Sequence, residues 1–199
     1  VLQGLAALAV PDLVPGAQCR YRLRPANSSL GYRMTSPASE PAIHWPEHFH
    51  PANVPVHVVN EMFIPASAEH IWAWLVREPL WPTWYANSKV DWIRDKSRDL
   101  ALGVQFHWKT FGVSITSRVQ EFVPCERIAW DGTGMGAHVY HAWLIIPKAG
   151  GCLVRTEESQ HGWGARLMHL LQPHRMYDGH DLWLKSLSIQ SQTGLPPEL

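Results

Sequence analysis

Residues 56–76 read VHVVNEMFIPASAEHIWAWLV, and this stretch is the strongest indicator of the fold class. In its first nine residues the side chains alternate with the period of a β-strand, and Pro65 ends the strand because it cannot donate a ladder hydrogen bond. Ser67 then takes the N-cap position of a helix whose apolar side chains recur at helical spacing. The stretch therefore predicts a strand over 56–64 and a helix that stops before Pro79.

The rest of the sequence predicts further strands and one long helical region. A short second helix is favoured in the segment PLWPTWYANS, and from Trp163 to Gln192 apolar residues recur at helical spacing, with Pro173 as a break or kink. Turns with Gly or Pro separate the strands. The predicted strands span 89–94, 104–111, 113–122, 127–131, 137–146 and 152–160.

This order of elements predicts an α+β fold. A helix near each end, with only strands between them, is typical of a curved antiparallel sheet that grips one long helix. We expect a sheet of about seven strands in a meander around a long C-terminal helix. Such an arrangement tends to enclose a ligand cavity.

The chain divides into an irregular lead and one folded domain. Eight prolines lie between residues 10 and 55, and each removes a backbone donor and fixes φ, which prevents a long helix or a central strand. The lead also contains Tyr21, Tyr32, Trp45 and Phe49, so we expect part of it to pack on the domain. We assign residues 1–55 to this proline-rich lead and residues 56–199 to the domain.

Composition narrows the classes of partner. Seventeen basic and seventeen acidic residues cancel, which leaves no basic stripe for a phosphate backbone, so no nucleic acid partner is expected. The sequence contains no run of about 18 apolar residues, the length that a membrane-spanning helix needs. The three cysteines are odd in number and lack a CxxC spacing, which favours a reducing compartment and a cytoplasmic location. The sequence does not indicate an oligomeric state.

Several motifs follow one another in the order found in a known superfamily. After the opening strand and helix come WPTWY at 81–85, GVQFHWKTFG at 103–112, SITSRVQEFVPCERIAWDG at 114–132, HAWLIIP at 141–147 and GGCLVRTEES at 150–159. In these pieces the chain resembles the SRPBCC superfamily, also called START-like, Bet v 1-like or polyketide cyclase/dehydrase proteins. The resemblance covers roughly residues 56–192. It implies a helix-grip fold with a hydrophobic cavity between the sheet and the C-terminal helix.

Strand alternation indicates which side chains face such a cavity. The predicted inner face carries apolar residues from several strands, and by resemblance His141 and Trp143 also point inward, while Tyr140 does so only in the other register. On the last helix one stripe forms the cavity lid. The predicted ligand-binding residues are Phe106, Trp108, Ile115, Trp130, Tyr140, Trp143, Met176 and Trp183.

Three polar residues are candidates for acid/base chemistry. If His141, Glu158 and His180 converge in the cavity, an imidazole could move a proton at a carbonyl substrate while Glu158 orients it. A structural, hydrogen-bonded role for each of them is the more common case. In the lead, His44, Glu47, His48 and His50 are residue types that can ligate a metal, but they lie in irregular sequence with no supporting partner to infer, so we predict no metal site and no cofactor.

The sequence supports three functional hypotheses. The first is the binding, by carriage or sequestration, of a hydrophobic, lipid-like or aromatic small molecule in the cavity. The alternative is a polyketide cyclase/dehydratase-type enzyme that uses the cavity His and Glu residues for proton transfer. The third is a protein-interaction role for the aromatic lead, which requires that Trp45 and Phe49 remain exposed.

Overall fold

Seven antiparallel strands form one curled sheet in the computed structural model, which describes residues 42–92 and 99–198. Their order across the sheet is β1-β7-β6-β5-β4-β3-β2. The strands are β1 (Val56–Ile64), β2 (Ser88–Trp92), β3 (Gln105–Thr110), β4 (Val113–Val123), β5 (Arg127–Gly134), β6 (Ala137–Lys148) and β7 (Gly151–His161). The predicted fold class is confirmed.

The predicted seven-strand meander is correct for β2 to β7 and wrong for β1. That strand pairs with β7, the last strand in the chain, with Val56 opposite Gln160 and Ile64 opposite Cys152. Helices lie between β1 and β2 in the chain, so β1 is free to pair at the far edge of the sheet. The predicted end of the second strand, at Arg94, lies outside the described residues.

Four α-helices accompany the sheet in the described ranges: α1 (Ala68–Val76), α2 (Trp81–Trp84), α3 (Trp163–Leu171) and α4 (Arg175–Gln192). The predicted N-cap of α1 is present, because the backbone N–H of His70 donates to Ser67 Oγ at 3.2 Å. Around Pro173 the C-terminal helical region is interrupted, which separates α3 from α4. None of the helices in the described ranges is long and apolar enough to cross a membrane.

Helix α4 packs against the inner face of the sheet through a cluster of aromatic rings. Trp183 of α4 stacks on Tyr85 with a centroid distance of 4.5 Å and meets the edge of Trp81 at 5.0 Å. Trp108, Trp130 and Trp143 on the strands surround the same ring. This cluster fills the interior between the sheet and the helix.

A second, smaller core lies on the outer face of the sheet. Tyr140 and its neighbours on β5 and β6 point to this face and contact the part of the lead that is described. The Phe49 ring packs 5.6 Å from the Tyr140 ring and is only 6% exposed, and Trp45 is half-buried. The exposure that the protein-interaction hypothesis requires is therefore absent at Phe49. Residues 1–41, most of the predicted lead, lie outside the described ranges.

Helix α3 is positioned by a close approach of its first turn to the β5–β6 turn. A Cβ atom added at Gly164 would overlap the carbonyl oxygen of Met135, which belongs to the backbone and cannot move aside easily. Gly164 also lines the pocket described below. The absence of a side chain at this position lets α3 reach its place on the sheet.

We predict that Gly164→Ala destabilises the protein by about 1–3 kcal/mol, the usual cost of overpacking a close contact. The measurement is the free energy of unfolding in urea. The matched control is Arg166→Ala on the exposed side of the same helix, which should stay within about 0.5 kcal/mol of the parent. Equal stability of the two variants would contradict the proposed role of the close approach.

Candidate functional site

A pocket of about 110 Å³ lies between the inner face of the sheet, α3 and the first turns of α4. Its walls are mostly apolar, and the exposed residues Gln172 and Pro173 between α3 and α4 lie at its outer end. His141, Glu158 and His180 contribute its buried ionisable side chains, and Thr110 and Ser117 contribute buried hydroxyl groups. The apolar walls include Trp108, Ile115, Trp130, Met168, Met176 and Trp183.

Three secondary-structure elements bring the polar side chains together. His141 on β6 and Glu158 on β7 are direct partners across the two strands, so their side chains leave the same face of the sheet. Helix α4, which packs on the inner face of the sheet, contributes His180. His141 Nδ1 and His180 Nε2 each lie 3.2 Å from the same oxygen, Glu158 Oε2, and the two imidazole rings are 4.7 Å apart.

The remaining polar atoms of this cluster have defined partners, with one exception. Gln160 Nε2 donates to Glu158 Oε1 at 2.5 Å, and His141 Nε2 lies 2.7 Å from the Thr156 hydroxyl. An ionised carboxylate only accepts, so both imidazoles donate to Glu158, and His141 Nε2 accepts from Thr156. His180 Nδ1 is then an acceptor, and it is buried with no hydrogen-bond partner among the described residues.

Burial dominates the electrostatics of the cluster. It lowers the pKa of His141 to about 3, although the carboxylate of Glu158 acts in the opposite direction. Burial alone would raise the pKa of Glu158, but the neighbouring imidazoles of His141 and His180 and the hydrogen bond from Gln160 outweigh it and lower that pKa to about 2. At neutral pH the cluster therefore holds an ionised carboxylate next to a neutral His141.

The structure brings together the three residues predicted for acid/base chemistry, whose catalytic role stays a prediction. Of the predicted ligand-binding residues, five line the pocket: Trp108, Ile115, Trp130, Met176 and Trp183. Phe106 and Trp143 point inward but are packed in the core beneath it. Tyr140 was predicted as a ligand contact in the alternative register and lies on the outer face, because it alternates with the inward-facing His141.

Several residues that shape the site were not among the predicted site residues. Met168 lines the pocket from α3. Trp81 does not line the pocket itself, but it packs against Trp108, Trp130 and Trp183 in its wall. The WPTWY motif marked Trp81 as structurally informative, but its position under the pocket depends on α2 folding back over β3. No periodicity in the sequence indicates such a contact.

The cluster also contains the residue types that bind metal ions. Within the described ranges, His141, Glu158 and His180 are the group whose donor atoms lie close enough together, within 4.8 Å of one another, to hold an ion. The histidines of the lead make other contacts: His44 Nδ1 lies 2.9 Å from Glu121 Oε1, and His50 accepts from the backbone of Ala52. The best-formed set of potential ligands is therefore inside the pocket.

Comparison with known proteins identifies the family. Residues 55–175 match the family model described as polyketide cyclase/dehydrase and lipid transport. The chain belongs to this family. The predicted SRPBCC resemblance is confirmed, and no curated protein matches the chain in sequence.

Solved structures show the same fold. A hypothetical protein from Helicobacter pylori has 28% sequence identity and a TM-score of 0.70, and the match covers 78% of this chain and 99% of that one. A START superfamily protein from Mycobacterium smegmatis has 14% identity and a TM-score of 0.52, with 69% and 97% of the two chains covered. The Zhui aromatase/cyclase from Streptomyces has 12% identity and a TM-score of 0.55, with 71% and 99% covered.

We predict that acidification destabilises the protein through the buried cluster. Because the folded-state pKa of His141, about 3, lies below its ordinary value of 6.5, the unfolded chain binds the proton first as the pH falls. The contribution of His141 to stability is thus complete above pH 6.5 and is lost as the pH falls towards 3. The contribution of Glu158 is lost as the pH falls from 4.5 to about 2. Between pH 7 and pH 4 the free energy of unfolding should fall by on the order of 3 kcal/mol.

Urea unfolding at closely spaced pH values checks this prediction. His141→Gln removes the titrating imidazole, so its stability should depend much less on pH in the same window. An unchanged slope in this variant would show that other groups cause the acid sensitivity.

Proposed function

We propose that this protein binds a small, mostly apolar molecule in the pocket between the sheet, α3 and α4, for carriage or sequestration. The observation that carries the proposal is an apolar-walled pocket whose lining includes a buried imidazole with an unpartnered nitrogen. Such a site combines apolar contact area with a polar group that orients the ligand. The family's description, which includes lipid transport, supports a binding role.

The size of the pocket limits the ligand. Its volume of about 110 Å³ is smaller than the roughly 150 Å³ cavity that accommodates benzene in an engineered protein and far below the roughly 300–1,000 Å³ of drug-sized pockets. The aromatic cluster around Trp183 occupies the space that a longer ligand would need. The pocket as it stands therefore fits a short chain, and a single ring requires it to widen, with the rest of the molecule towards the outer end. Met168 and Met176 in the walls are flexible enough to widen it.

The polar atoms of the lining indicate the functional group of the ligand. His180 Nδ1 and Trp183 Nε1 are both buried without a partner among the described residues, and both side chains line the pocket. A buried polar atom without a hydrogen bond costs about 1–3 kcal/mol, which a suitable ligand would recover. A hydroxyl group can donate to the imidazole or accept from the indole. Phenols and short alcohols are the ligand class that these contacts favour.

We predict that Ile115→Trp blocks ligand binding, because the larger side chain occupies the pocket. The affinity for a panel of phenols and short alkanols, measured by calorimetry, should fall at least about tenfold, since the added ring displaces the apolar part of the ligand. The matched control is Leu182→Trp at an exposed position of α4, which should bind as the parent does. Parent-like affinity in Ile115→Trp would contradict the proposed location of the ligand.

A cyclase/dehydratase-type enzyme remains the second candidate function, because two imidazoles converge on one carboxylate oxygen inside the pocket. In this mechanism His180 Nδ1 removes a proton from a carbon next to a substrate carbonyl. Glu158 accepts the hydrogen bond from Nε2–H, which directs the lone pair of Nδ1 towards the substrate and stabilises the imidazolium that forms. His141 shares the same carboxylate and holds it in place.

This alternative predicts a separation of binding from turnover. In His180→Gln, kcat towards an aromatic or polyketide-like carbonyl compound should fall by about 10²–10⁴-fold, the usual contribution of a general base. The dissociation constant of the same compound, measured without turnover, should change much less. If the parent protein returns every tested carbonyl compound unchanged, the binding role stands and the enzymatic one does not.

A further inference from the structure

We propose that His141, Glu158 and His180 form a binding site for one divalent transition-metal ion. This inference goes beyond the ligand-binding proposal and does not depend on it. It rests on the arrangement of the donor atoms, on the charge balance of the cluster and on the partners behind each ligand.

Two of the three donor-atom pairs have the separation found in a metal site. His141 Nδ1 and His180 Nε2 are each 3.2 Å from Glu158 Oε2, and the ligand atoms of the group lie within 4.8 Å of one another. In a tetrahedral site with bonds of about 2.0 Å, neighbouring ligand atoms are roughly 3.3 Å apart. An ion between the three atoms would replace the two hydrogen bonds to Glu158. To close the site, the two imidazole nitrogens must lie within about 4 Å of each other, the longest distance that two such bonds can span.

The charge balance of the cluster favours a cation. Glu158 is 8% exposed, and its ion-pair partners in the described part of the chain are the two imidazoles, with no Lys or Arg among them. Buried carboxylates are normally paired with a cation or bound to a metal. Arg175, the basic residue of the pocket lining, instead donates to the carbonyl of Phe111 at 2.7 Å. A divalent ion would supply the missing positive charge.

Two of the three ligands already have the supporting partners that metal ligands use. His141 Nε2 contacts Thr156 Oγ1 at 2.7 Å, which fixes the ring so that Nδ1 points at the cluster. Gln160 Nε2 holds the other carboxylate oxygen, Glu158 Oε1. Such outer partners orient metal ligands and contribute substantially to affinity. Thr156 and Gln160 lie on β7 with Glu158, so one strand carries the carboxylate and both supports.

The donor set indicates the kind of ion. Two imidazole nitrogens and one carboxylate oxygen suit zinc and neighbouring transition metals, whereas Ca²⁺ requires six to eight oxygen ligands and Mg²⁺ a near-ideal octahedron. Three protein ligands leave at least one coordination position open. All three residues line the pocket, so that position faces the ligand space. A small molecule with an oxygen donor could therefore complete the coordination.

Titration with Zn²⁺ tests the site. The full chain is treated with a chelator, dialysed, and titrated with zinc alone by calorimetry, and the bound metal is counted by elemental analysis. One ion per chain should bind with a micromolar or lower dissociation constant. In Glu158→Gln and His180→Gln the affinity should fall at least about 100-fold, and in Thr156→Val, which keeps the side-chain shape, about 10–100-fold.

His161→Gln is the matched control for adventitious binding. His161 stacks on His138 at 5.2 Å, near His48 on another part of the surface, where histidines could also collect zinc. The control should retain the affinity of the parent for the first ion. If zinc binds equally to the parent, Glu158→Gln and Thr156→Val but more weakly to His161→Gln, the ion is held at the surface and the proposal is overturned.

Further measurements separate loss of folding from loss of zinc binding, and the metal proposal from the ligand-binding proposal. Circular dichroism establishes that each variant folds, and Thr156→Val decides the question if the ligand variants do not fold. The absence of zinc binding to the folded parent would also overturn the proposal. Binding of phenols to the chelator-treated protein, measured separately, shows whether the ligand-binding proposal holds without the metal.

Discussion

The packing of Trp183 into the aromatic cluster is the interaction on which the rest of the molecule depends. Its ring contacts Tyr85, Trp81, Trp108, Trp130 and Trp143, which come from α2, the segment after it and three strands. Large rings bury much apolar area and pair in specific geometries, so the cluster fixes both the distance and the rotation of α4. The position of the helix against the sheet follows from this packing, and Trp183 itself forms part of the pocket wall.

The packing of Trp183 also positions the polar cluster. His180 lies three residues before Trp183, so it leaves the same side of α4 about one turn away. The rotation that buries the tryptophan therefore turns the imidazole towards β6 and β7. There it meets a carboxylate that would be costly to bury alone, and the hydrogen bonds to Glu158 tie the helix to the two strands. Apolar packing and polar pairing thus support one another at this point.

The filled interior leaves little room for a long ligand. Members of its family are described by both cyclase chemistry and lipid transport, and a fold alone does not select between them. Here the aromatic side chains leave a pocket of about 110 Å³, and the polar cluster is part of its lining. A small ligand with one polar group agrees with both observations. The pocket, the unpartnered His180 nitrogen and the metal-ligand geometry are separate properties of one site, and each can be tested without the others.

The sequence by itself determined the fold class, most element boundaries and the inward face of several strands. The strand over 56–64, the Ser67 cap and the inward position of Trp108 and Trp130 follow from local periodicity, because alternation and capping depend on neighbouring residues. The sequence also nominated His141, Glu158 and His180. It did not determine that β1 pairs with β7, that Tyr140 faces the lead, or that Trp81 packs against Trp183. The tertiary structure decided these points, because each depends on contacts between residues far apart in the chain.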